Sequence, residues 1–109
     1  MELRRHTQFL LLCGLALNPA LPAQAAEMPM GDYLGLLAQI SPAAREGAEA
    51  YLLAHRQRCG RVLSTTALRR ALSDGTGDPV LIGMMRASQQ RDAAGLAALS
   101  LRVPCQGRP

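Results

Sequence analysis

The feature that most limits how this chain can fold is a cysteine fifth from its C-terminus, Cys105 in "LRVPCQGRP". Its meaning depends on the opposite end of the chain. "MELRRH" is a short basic start, "FLLLCGLAL" (Phe9 to Leu17) is an uninterrupted apolar run, and "NPALPAQA" is a helix-breaking stretch ending in small residues. That order is the pattern of a secretory signal peptide, with Ala23-Gln24-Ala25 at the cleavage point. We expect residues 1–25 to be removed and a mature chain, Ala26 to Pro109, to be periplasmic. A membrane anchor needs roughly 20 apolar residues, about twice this run. A lipoprotein signal has small residues before its cysteine, whereas Cys13 follows Leu10, Leu11 and Leu12. Cys13 and His6 therefore leave with the signal.

Cys59 and Cys105 are then the only cysteines left, and in an oxidising compartment they allow a single pairing. Closing the chain between them stabilises the fold by about 4 kcal/mol on the chain-entropy account. The mature domain needs such a staple. Its only aromatic residues are Tyr33 and Tyr51, so the core must be built from Leu, Ala, Met, Val and Ile. A single domain of this size is marginal without a cross-link.

Hydrophobic spacing predicts an all-α domain, a small bundle of about five short helices with one disulfide. Residues Ala26 to Gly31 read as a flexible leader. A first helix is expected with Asp32 as N-cap and Tyr33, Leu36, Leu37 and Ile40 on one apolar face, ending at Ser41-Pro42. Ser41 and Pro42 are also good opening residues for the second helix, Ala43 to Cys59. There Ala44, Ala48, Leu52, His55 and Cys59 share a face, with Tyr51 beside them and Arg45, Glu49 and Arg56 opposite; Gly60 is the stop. In "VLSTTALRRALSDG" Ser64 caps a third helix, Leu63 can staple onto Leu68, and Leu68, Ala71 and Leu72 face inward as far as Gly75. Asp78 and Pro79 open a fourth, with Val80, Leu81, Met84 and Met85 apolar. "RDAAGLAALSLRV" gives a fifth, capped by Asp92, with Leu96, Leu99 and Val103 inward and Pro104 as the stop.

Chemistry-bearing residues are few. His55 and Cys59 stand at i and i+4, a spacing that suits a thiolate–imidazole pair or two metal ligands. The plainer reading is an oxidised Cys59 with His55 beside it at the edge of the core. Met28 and Met30 have the Met-x-Met spacing of copper(I) sites, where soft thioethers suit the ion; two methionines in a leader also arise without function. Glu46 and Glu49 lie one turn apart, and Asp74 and Asp78 flank a glycine turn. Paired carboxylates need an enclosed site before they do acid–base work, and these have solvent-face, capping and turn explanations. The sequence has no nucleophile elbow, glycine-rich phosphate loop or zinc spacing. We therefore expect no enzyme activity and no cofactor.

The mature chain carries ten arginines, no lysine and seven carboxylates. Arg56, Arg58, Arg61, Arg69 and Arg70 concentrate around the second and third helices. Most such charges are solvated surface. If they act, export argues against nucleic acid, the scarcity of aromatics removes stacking platforms, and an acidic protein surface becomes the expected partner. That partner would be a periplasmic or secreted protein, with no membrane span in the mature chain.

"RCGRVLSTTALRRAL", "DPVL" and the closing "VPC" resemble a family of periplasmic immunity proteins that protect bacteria from type VI-secreted peptidoglycan amidases. Cys59, Thr65 to Leu68 and Pro104-Cys105 carry the resemblance, over roughly the last half of the chain. It implies a small helical inhibitor that occludes an amidase active site. The chain departs from that pattern in lacking a second cysteine pair near the mature start and in its short basic loop before Ser64. Two other classes fit the same composition: a disulfide-bonded acid-stress chaperone, and a copper(I) carrier using Met28 and Met30. An accessory protein without separable activity is a further alternative.

Overall fold

The computed structural model describes residues 27–73 and 77–105. The expected signal peptide with its cleavage point, and the Gly75 expected to stop the third helix, lie outside the described residues. Among those residues the protein is all-α: α1 Met30–Ile40, α2 Pro42–Cys59, α3 Thr65–Ser73, α4 Pro79–Gln89 and α5 Ala93–Ser100.

Side-chain oxygens set four of the five helix starts. Ser41 Oγ accepts from the Ala44 amide at 2.9 Å, and Ser64 Oγ from the Ala67 amide at 3.0 Å. Asp78 Oδ1 accepts from the Val80 amide and Asp92 Oδ1 from the Gly95 amide, both at 2.9 Å. Each satisfies a donor that the first helical turn leaves without an intrahelical partner. Gly60, at φ 76°, ends α2 in the left-handed conformation that glycine adopts without a Cβ penalty. Arg91 does the same for α4 at φ 54°, with Asp92 N–H on Ala87 O and Arg91 N–H on Ser88 O.

The long helix α2 is the spine. Gly47, Ala48, Tyr51, Ala54 and His55 are its buried residues. It packs most extensively on α4, with α1 against another side; α5 lies mainly on α4 and more thinly on α2. Gly47 sets the closeness of the main crossing, because a methyl group there would stand 2.5 Å from Met85 Cα. Leu34, Leu37, Leu63, Leu68, Leu81, Met84 and Val103 join α2 in one core.

Two polar contacts tie that core together. Tyr51 is wholly buried and its hydroxyl donates to Asp78 Oδ2 at 2.6 Å, so the residue that caps α4 is also held by α2. His55, also wholly buried, lies with Nδ1 3.2 Å from the Arg61 carbonyl oxygen. A carbonyl only accepts, so the proton sits on Nδ1 and the ring holds the α2–α3 loop.

The Cys59–Cys105 disulfide is present, with the two Cα atoms 5.5 Å apart. It joins the end of α2 to the tail after α5. Beside it Arg58 Nε donates to Val103 O at 2.9 Å, and the Val103 side chain is fully buried. The tail is thus held by a covalent bond, a hydrogen bond and an apolar plug.

Three expectations need correction. Asp32 is not the N-cap of α1. The helix starts at Met30 behind Pro29, with no side-chain cap, and Asp32 lies in its first turn. Its inward residues are Leu34 and Leu37, with Met30 and Tyr33 packed at the edge, while Leu36 and Ile40 are exposed. The leader is not loose at Glu27, whose carboxylate reaches across to α3 and accepts from both the Thr66 amide and the Thr66 hydroxyl. Finally, α5 ends at Ser100 rather than at Pro104; Val103 is buried from an irregular segment beyond the helix.

Candidate functional site

The thin contact between α2 and α5 leaves a groove. Its wide part, about 490 Å³, opens between the start of α2 (Pro42, Ala43, Glu46) and the α4–α5 junction (Ser88, Gln89, Arg91, Asp92). Its narrow part, about 230 Å³, runs between Ala50, Leu53, Ala54 and Gln57 of α2 and Ala93, Leu96, Ala97 and Ser100 of α5. Ala93 and Leu96 border both parts, so the two lie next to each other along α5. The starts of both helices lie at the wide end, so α2 and α5 run in the same direction along it. From Pro42 to Gln57 the helical rise gives a length of about 22 Å.

The two ends differ chemically. The narrow end is floored by small alanines between the aliphatic side chains of Leu53 and Leu96, a surface that admits another backbone closely. The wide end carries Glu46, Asp92 and Arg91, which among the described residues form no ion pair with one another. Ser88 Oγ is buried there without a hydrogen-bond partner. The left-handed backbone of Arg91 costs about 1 kcal/mol relative to glycine, and it holds a charged residue at the rim.

The predicted arginine cluster divides. Arg56, Arg58 and Arg61 gather at the disulfide, with Arg58 committed to the Val103 carbonyl. Arg69 faces the other way, where its charge bears on Glu27 and on Tyr33. Arg70 is exposed in the last turn of α3, where a cation suits the helix dipole. The Glu27 carboxyl is held below its ordinary range, first by the Thr66 hydroxyl, then by the Thr66 amide, with Arg69 contributing. Burial pushes the Tyr33 hydroxyl above its ordinary range, against the pull of Arg69.

The methionines are mostly engaged in packing. Met30 packs on the core as the first residue of α1, Met84 is fully buried, and Met85 lies against Gly47. Met28 is half-buried in the leader. His55 and Cys59 share a face as expected, but Cys59 is in the disulfide and His55 Nε2 is buried without a partner. Among the described residues no three His, Cys, Asp or Glu side chains gather as a metal site, and no helix is long and apolar enough to cross a membrane.

Sequence reasoning missed the groove because alanines carry no polarity contrast. A signal was present: Ala43, Glu46, Ala50, Leu53, Ala54 and Gln57 form a second helical row on α2, and Ala93 and Ala97 repeat it on α5. Compared with known proteins, the chain matches no family model, no curated protein and no solved structure.

Proposed function

We propose that this chain is an exported, disulfide-braced binding protein that acts by contact, seating a segment of a periplasmic or secreted protein in the α2–α5 groove. The observation that carries the reading is the groove itself: two adjoining hollows between α2 and α5, one lined by small alanines with Leu53 and Leu96, the other carrying Glu46, Arg91 and Asp92. Those are the features by which helical and extended segments dock on helical domains. Inhibition of a peptidoglycan amidase is the specific form implied by the sequence resemblance. The partner's segment would then be the part of the hydrolase that borders its active site.

The test is capture of the partner from periplasmic extract, or of an amidase encoded nearby, with groove variants as controls. Leu53→Asp and Ala97→Arg sit at exposed helical positions, so both should keep the far-ultraviolet circular dichroism of the parent. Each should weaken capture by about tenfold or more, since charge placed in an apolar contact costs more than about 1.4 kcal/mol. Undiminished capture by both variants would move the binding site off the groove.

A second reading, the acid-stress chaperone, is favoured by one contact. Glu27 accepts from Thr66 as a carboxylate, and its folded pKa lies below the ordinary value. Its contribution to stability is therefore complete above the unfolded carboxylate pKa and is lost as the pH falls through the lowered folded value. Protection of the Thr66 amide, its exchange taken relative to the intrinsic rate at each pH, should fall across that acid window. In Glu27→Ala that protection should already be low at neutral pH and show no step. Binding of a hydrophobic dye over the same window would favour the chaperone, and its absence would count against it.

A further inference from the structure

We propose that the disulfide pole of this protein is a docking surface for anionic phospholipid headgroups, so that the domain associates with a membrane surface without spanning it. Two segments build the pole: "RQRCGRV" (56–62) at the end of α2 and "LRVPC" (101–105) after α5. The Cys59–Cys105 bond and the Arg58–Val103 hydrogen bond hold them side by side. Between them they carry Arg56, Arg58, Arg61 and Arg102, all exposed, and no carboxylate.

The aliphatic residues make the pole more than a basic patch. Val62 is 72% exposed and Leu101 is 71% exposed. Of the other large exposed apolar residues, Leu36 and Ile40 lie on α1 and Leu53 edges the groove. Val62 and Leu101 instead stand in non-helical stretches, one in each of the two disulfide-linked segments and each next to an arginine in the sequence. An aliphatic tip enters the boundary between headgroups and acyl chains, while guanidinium groups at its base pair with phosphate oxygens. Either term alone gives weak attachment, and together they add.

Lipid fits these residues better than an acidic protein. Neither segment contains Trp or Tyr, two of the residue types that anchor protein interfaces, and the most exposed apolar side chains of the pole are the aliphatic Val62 and Leu101. Its aliphatic groups stand out from the surface, where a bilayer boundary receives them and a charged protein face does not.

The test is co-sedimentation with lipid vesicles, using protein purified after expression from its full coding sequence. Phosphatidylglycerol vesicles should capture it and phosphatidylcholine vesicles should not, and added salt should release it. Arg56→Gln and Arg102→Gln should each weaken capture by about fivefold, the effect of one arginine near an anionic surface. Arg61 is left unchanged because it is engaged within the fold. The double variant Val62→Ser, Leu101→Ser should weaken capture by about tenfold or more, with circular dichroism unchanged. Three results would overturn the proposal. One is failure of phosphatidylglycerol vesicles to capture the protein. Another is equal capture by both lipids, as a retained Phe9–Leu17 segment would give. The third is sensitivity to the arginines alone, which would mark the pole as a charge-only surface for an acidic protein.

Discussion

Replacing Gly47 by alanine should lower the melting temperature by roughly 10 °C, whereas the same replacement at Gly35 should raise it by about 5 °C. Both glycines are interior to helices, and alanine there gains about 1 kcal/mol of helix propensity. At Gly35 nothing lies within 4 Å of the new methyl group, so the gain is realised. At Gly47 the methyl would stand 2.5 Å from Met85 Cα, 2.7 Å from its amide nitrogen and 2.8 Å from its Cγ. Two of those atoms are backbone and cannot step aside by a change of rotamer. The α2–α4 crossing must open, and overpacking of this kind costs about 3 kcal/mol. The net loss of about 2 kcal/mol is a sizeable part of the stability of a small domain. Thermal melts of both variants under one set of conditions check the pair. Equal shifts of the same sign would show that helix propensity, not the crossing, decides these positions.

Gly47 also marks the limit of what a sequence reveals. Within α2 it reads only as a weak helix former, and its value appears once α4 lies against it. The capping residues were legible for the opposite reason. Ser41, Ser64, Asp78 and Asp92 act on amides two or three residues away, so the local sequence contains the whole interaction. The first helix shows how a local rule misleads. Tyr33, Leu36, Leu37 and Ile40 fit the i, i+3, i+4, i+7 spacing, and so do Met30, Tyr33, Leu34 and Leu37. Starting the helix at Asp32 excludes Met30 and selects the first stripe. The structure starts it at Met30 and buries the second. Glu27 was illegible because its partner, Thr66, is 39 residues away. The groove was illegible because its floor is alanine, and the place where two helices fail to close depends on the packing of all the others.

The disulfide was legible, and its importance can be measured. In Cys59→Ala, Cys105→Ala, which avoids a free thiol that could cross-link two molecules, the melting temperature should fall by about 20 °C. The bond spans a sequence separation of 46 residues, and releasing that loop adds about 4 kcal/mol of chain entropy to the unfolded state. Against a total of about twice that for a domain of this size, the loss is severe. The tail's other anchors cannot replace it. Burial of Val103 contributes about 2 kcal/mol, and the Arg58 hydrogen bond to Val103 about 1 kcal/mol more, but both are made by the tail only while it is in place. Val103→Ala in the intact protein should therefore cost less than the double cysteine variant, because the covalent bond still returns the tail to α2. In the cysteine-free background the same substitution should free the tail, with hydrogen exchange rising first at residues 101–105 and then along the last turn of α2. A melt unchanged by loss of both cysteines would mean that Val103 and Arg58 alone define the pole, and that the covalent bond adds nothing the packing had not already secured.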